Sequence, residues 1–66
     1  MEVKYPNITV KLVGEDGNAF NILGIVNRAL KEAGVSWEEQ AEFMAEATAG
    51  DYDDLLQTCM QWVEVE

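Results

Sequence analysis

From Ile8 the chain alternates, with Ile8, Val10 and Leu12 apolar and Thr9 and Lys11 polar, until Val13 breaks the pattern. A period of two in a stretch rich in β-branched residues predicts a strand over 8–13 that buries Ile8, Val10 and Leu12. Gly14-Glu15-Asp16-Gly17 ends it as a turn. The period then lengthens. Asn18 suits an N-cap, Gly34 suits the C′ position, and between them Ile22, Leu23, Ile25, Val26, Ala29, Leu30 and Ala33 fill one continuous arc, which predicts a helix over 19–33. Ser36-Trp37-Glu38-Glu39 has the form of a capping box and opens a second helix over 37–49, stopped by Gly50. Asp51 caps a third, with Tyr52, Leu55, Leu56, Cys59 and Met60 as its core stripe. In Trp62-Val63-Glu64-Val65-Glu66 the period returns to two, predicting a closing strand with Val63 and Val65 inward and Trp62 pointing away from them.

These elements make an α+β protein: one compact domain over residues 1–66, strand, three helices, strand, with a small two-stranded sheet packed on the helices. Three intervening helices favour a parallel pair, but oblique crossings leave the orientation open. Either sense brings the termini together and allows Lys11 to face Glu64. Both edges of such a sheet are exposed, which leaves homodimerisation by edge pairing as an option.

Charge changes the picture more than size does. The net charge is −9, yet up to Gly34 four acids balance four bases, and from Val35 onward nine acids meet no base. On the second helix Glu38, Glu39, Glu42 and Glu46 form one wall spanning about 100°. Its two like-charge pairs at i, i+4, Glu38/Glu42 and Glu42/Glu46, each cost roughly 0.2–0.5 kcal/mol. The wall carries about one charge per 3–4 Å of axis, close to the roughly 3.4 Å per phosphate along one DNA strand. Asp51, Asp53 and Asp54 extend the acidity, although acids in a first helical turn also serve free amides and the helix dipole.

Composition narrows the chemistry. There is no His, Ser36 is the only Ser and is taken as a cap, and Cys59 falls in an apolar stripe, so no Ser/His or Cys/His nucleophile assembles and no enzyme is expected. No phosphate-cradling loop, cofactor motif or metal-ligand spacing is present. Asp51-x-Asp53-Asp54 fails as a calcium loop because Leu56 and Trp62 stand where Gly and Glu are needed. Four bases are too few for direct nucleic-acid binding, and anionic membranes are disfavoured likewise. The N-terminus lacks secretory-signal character, which makes the cytoplasm the expected location.

Lys11-Leu12-Val13-Gly14-Glu15-Asp16-Gly17-Asn18-Ala19-Phe20, Ala33-Gly34-Val35-Ser36 and Gly50-Asp51-Tyr52-Asp53 resemble segments of a family of small bacterial and phage proteins. The resemblance covers most of the chain. It implies a compact cytoplasmic domain, encoded by a mobile element, and no chemistry.

The expected function is therefore a small acidic interaction module or inhibitor. It would dock on the basic, nucleic-acid-binding surface of a partner protein, in the manner of nucleic-acid mimics and some anti-CRISPR proteins. Glu38, Glu39, Glu42, Glu46, Asp51, Asp53 and Asp54 would pair with Lys or Arg, and Trp37, if exposed beside them, would be the aromatic anchor. The alternative is a structural or regulatory homodimeric domain whose acids only keep it soluble. Phe20 and Gly24, one turn apart on the less apolar side of the first helix, read equally as a knob beside a notch or as close packing against the third helix.

Overall fold

The structure is a computed structural model that describes residues 3–12, 14 and 17–66. Val13, Glu15 and Asp16, assigned above to the end of the strand and its turn, lie outside the described residues. The element order is β1 (Tyr5–Val10), α1 (Ala19–Glu32), α2 (Trp37–Ala47), α3 (Tyr52–Trp62) and β2 (Val63–Val65), an α+β architecture in which β1 and β2 form a two-stranded parallel sheet.

β1 starts three residues earlier than the alternation predicts. Tyr5 pairs with Val63, Thr9 with Glu64 and Val10 with Val65, so the register is irregular between Tyr5 and Thr9. Pro6 sits in that interval, where its missing N–H cannot interrupt a regular ladder. Beyond Val10 the pairing continues as Glu66 N–H donates to the Val10 carbonyl and Leu12 N–H to the Glu66 carbonyl, both at 2.9 Å. Ile8 and Val10 are buried as expected, while Leu12 is half-buried. Glu64 stands opposite Thr9 rather than Lys11.

Helix ends follow local chemistry closely. The Asn18 side chain accepts from Phe20 N–H, and α1 closes in a Schellman motif: Gly34 N–H donates to Lys31 and Val35 N–H to Leu30, with Gly34 at φ +87°. That backbone is where Gly is favoured. Ile22, Leu23, Val26 and Leu30 are buried, whereas Ile25 and Ala29 are half-buried and Ala33 is exposed, so the core arc is narrower than the predicted one. α2 ends two residues early: Thr48 leaves helical angles at φ −104° and ψ 5°, its N–H and hydroxyl both donating to the Met44 carbonyl, and Ala49 N–H turns to Glu46, three residues back.

The predicted stripe on α3 requires correction. Leu55, Thr58, Cys59 and Trp62 are buried, at i, i+3, i+4 and i+7, whereas Tyr52 and Met60 are exposed and Leu56 is half-buried. Trp62 is the last helical residue rather than the first of a strand, and helical geometry turns its indole into the core instead of away from it. It packs edge-on against Phe43, ring centroids 5.5 Å apart, and lies 6.0 Å from Tyr5. Phe43, Leu30, Val26, Val63 and Cys59 fill the centre of the same core.

At the start of α3 Asp51 accepts from Asp54 N–H at 3.0 Å and Asp54 accepts from Asp51 N–H at 3.3 Å, a complete capping box. A Cβ on Gly50 would collide with the Asp54 carboxylate, so this position is reserved for glycine by the cap rather than by its own backbone angles. Gly50→Ala is expected to break the reciprocal bond and lower stability by ~1 kcal/mol, similar to Asp51→Ala, in urea unfolding followed by circular dichroism.

Candidate partner-binding surface

α2 is capped by Ser36, whose hydroxyl accepts from Glu39 N–H at 3.3 Å. The expected return bond from Glu39 gives way to a longer-range one, because Lys4 places its ammonium 3.2 Å from the Glu39 carboxylate. The Tyr5 hydroxyl donates to the same carboxylate. Lys4 also lies over the Trp62 ring at 4.1 Å, and its backbone N–H donates to the Gln61 carbonyl at 2.9 Å. The acidic half of the chain is thus partly neutralised by a base from the first strand's approach. No local signal announces this, since Lys4 and Glu39 meet only once β1 lies beside β2 at the end of α3.

Glu46 has a structural partner too, accepting from Trp62 Nε1 at 3.1 Å. Asp51 and Asp54 are engaged with each other in the α3 cap, and Glu46 and Asp54 share a shallow hollow of about 380 Å³ between α2 and α3. Four of the seven predicted carboxylates therefore hold the fold together. Glu38, Glu42 and Asp53 are exposed and make no hydrogen bond or ion pair among the described residues.

Trp37 settles differently from a core residue: it is 75% exposed. Ala41, Met44 and Ala45 are exposed as well, and with Trp37 they fall at i, i+4, i+7 and i+8, a helical stripe about 100° wide. α2 consequently carries two apolar faces. Phe43 and Ala47 face the core, and the Trp37 stripe faces outward with Glu38 and Glu42 along its flank. The sequence sets Trp37 and Met44 with Phe43 and Ala47 opposite the glutamates and does not divide the outer stripe from the core face.

Three ionisable groups are displaced from their usual behaviour. The hydrogen bond to Glu39, together with burial and the neighbouring carboxylates, raises Tyr5 from 10.0 to about 12. Bonds from Tyr5 and Lys4 hold Glu39 below its ordinary value. Burial pushes the Cys59 thiol from 9.0 up to about 11, so it is a protonated core residue at neutral pH. Raised pKa values in the folded state mean that the unfolded chain releases its protons first. Stability present below pH 9 is then lost as pH climbs through the 9–12 window. Glu39 acts in the opposite sense, its contribution being lost as pH falls through its depressed folded value. Thermal melts from about pH 8 to pH 11 should show a steady fall in Tm, reduced in Cys59→Ala after correction for its neutral-pH stability.

Among the described residues no three His, Cys, Asp or Glu side chains converge as metal ligands, and no helix is long and apolar enough to cross a membrane. No family model, curated protein or solved structure matches this chain.

Proposed function

We propose that this chain is a small acidic interaction module or inhibitor that docks through the outer face of α2 on the basic, nucleic-acid-binding surface of a partner protein. The observation that carries this reading is the exposed Trp37 stripe flanked by Glu38 and Glu42, carboxylates that make no hydrogen bond or ion pair among the described residues. A helix shaped only by its own fold gains nothing from a solvated Trp or from like charges at i, i+4. A partner supplies the reason for both. Trp37 offers the rigid aromatic anchor that interface centres favour, and Glu38 and Glu42 supply carboxylates for Lys or Arg around it. Asp53 adds charge beyond Gly50, while Glu39, Glu46, Asp51 and Asp54 contribute field from positions already held by structural bonds.

Association driven this way is steered by charge and weakens as salt screens it. The test is capture from a bacterial lysate at low and high salt, with Glu38→Gln/Glu42→Gln beside the parent. Recovery of a nucleic-acid-handling protein by the parent at low salt, lost at high salt and in the variant, is the expected result. Identical recovery by both chains in either salt would overturn it.

A further inference from the structure

The opposite chemistry is gathered on α1 and β1. A groove of about 500 Å³ runs between them, bordered by Thr9, Lys11, Phe20, Gly24, Arg28 and Glu32, and Lys31 lines the adjoining hollow. Lys11, Arg28 and Lys31 are three of the chain's four bases, the fourth being committed to Glu39. All three are exposed and make no ion pair among the described residues. Set against Glu32 alone, they leave this face positive on a molecule of net charge −9. What settles here brings carboxylates or other anions.

The strand side of the groove gives the occupant its shape. Glu66 N–H donates to the Val10 carbonyl and Leu12 N–H to the Glu66 carbonyl, so Val10 and Leu12 turn their backbone groups toward β2. In a parallel strand the N–H and C=O of one residue point to the same side, so those of Thr9 and Lys11 face the outer edge, where no further strand joins the sheet among the described residues. Such an edge receives an extended segment, which continues the ladder through main-chain hydrogen bonds. A nucleic acid carries the right charge but not the alternating donors and acceptors that these backbone groups require.

The helix side supplies an apolar wall. Ile25 and Ala29 line the groove half-buried, and Phe20 stands 84% exposed at its rim. Gly24 lies between them in the helix interior, where glycine is less favourable than alanine, yet a Cβ there would meet no atom within 4 Å. The fold does not require this glycine, and its missing side chain keeps the groove open. Successive side chains of a strand point to opposite faces, so a segment laid here turns every second residue to the apolar wall and the others away from it. Alternating apolar and acidic residues answer both demands.

We propose that this groove takes an extended acidic segment of a partner protein, added as a strand along the outer edge of β1, its apolar side chains against Ile25, Ala29 and Phe20 and its carboxylates on Lys11, Arg28 and Lys31. Physiological salt confines each charge to about 8 Å, so a seated segment feels the bases it touches ahead of acids elsewhere on the molecule. The groove shares no residue with the Trp37 stripe, and the inference is independent of the function proposed above.

Amide NMR of the isotopically labelled full chain tests it, by titration at about 0.15 M salt with a blocked peptide of about eight alternating glutamate and valine residues. The expected result is saturable shifts of the Thr9 and Lys11 amides and slowed exchange of their protons with solvent, with Trp37 unmoved. Replacing the peptide's glutamates by glutamine weakens binding about tenfold or more, as does Lys11→Gln/Arg28→Gln in the protein, whereas Glu32→Gln tightens it. Gly24→Leu is the sharper variant. Space within the molecule accommodates the added side chain and the helix gains a better former, so the melting temperature is maintained while peptide binding is abolished. Groove amides that stay unshifted at millimolar peptide overturn the proposal, as does equal binding of the glutamate and glutamine peptides. Tighter binding of a single-stranded oligonucleotide at the same amides would assign the face to phosphates and overturn it too. Loss of the α2 capture with peptide binding intact would reject the proposed function alone.

Discussion

Trp62→Ala strips the chain of about a third or more of its stability. Truncating a buried Trp costs about 3–5 kcal/mol, and a domain of this length has a total stability of only about 3–10 kcal/mol. Trp62 is 3% exposed and touches several parts of the fold at once: Phe43 on α2, Tyr5 on β1, the Lys4 ammonium over its ring and the Glu46 carboxylate on its Nε1. Its loss opens a cavity at the junction of α3 with the sheet and removes the ring beneath the Lys4 ammonium. Trp62→Phe separates packing from hydrogen bonding. It keeps an aromatic ring against Phe43, forfeits the bond to Glu46 and part of the volume, and should cost about 1–2 kcal/mol, leaving a folded protein. Far-UV circular dichroism with urea titration distinguishes the two variants; native-like unfolding of Trp62→Ala would show that the aromatic junction is dispensable.

The second large effect is on binding and leaves stability nearly unchanged. Glu38→Gln/Glu42→Gln removes like-charge repulsion along α2 but also the Glu38 charge that complements the helix dipole in its first turn, so the variant should match the parent's stability within about 0.5 kcal/mol. Its affinity for a basic partner should nevertheless fall about tenfold or more. Trp37→Ala belongs with it: truncation of an exposed side chain scarcely alters the melting temperature, while loss of an interface anchor costs about 2 kcal/mol or more in binding. Affinity lost while stability is kept is the signature of residues kept for a partner. Melting curves alongside calorimetric titration read both quantities; parallel losses would assign these side chains to the fold instead.

Local chemistry was readable in the chain, and long-range contact was not. Asn18, Ser36, Gly34 and Asp51 mark helix ends through bonds made within three or four residues, and the structure has these ends where such bonds place them. Trp62 was misplaced because a run of alternating residues looks alike from either side of a helix–strand boundary. Once Trp62 joins the helix, the buried stripe shifts to Thr58 and away from Met60. The acidic block read as free of bases because Lys4 is remote in sequence and meets Glu39 only in the folded sheet. Counting charges along α2 therefore made one uniform wall. The structure separates Glu39 and Glu46, which have partners, from Glu38 and Glu42, which flank an exposed apolar stripe.

The most direct test of the central claim is competition. The partner captured on the immobilised parent chain at low salt is challenged with increasing double-stranded DNA, with Glu38→Gln/Glu42→Gln as the control surface. If α2 occupies a basic nucleic-acid-binding surface, DNA releases the partner in proportion to its concentration, and the variant retains little to release. A partner that stays bound while simultaneously binding DNA, or that binds the variant as tightly as the parent, would contradict the account.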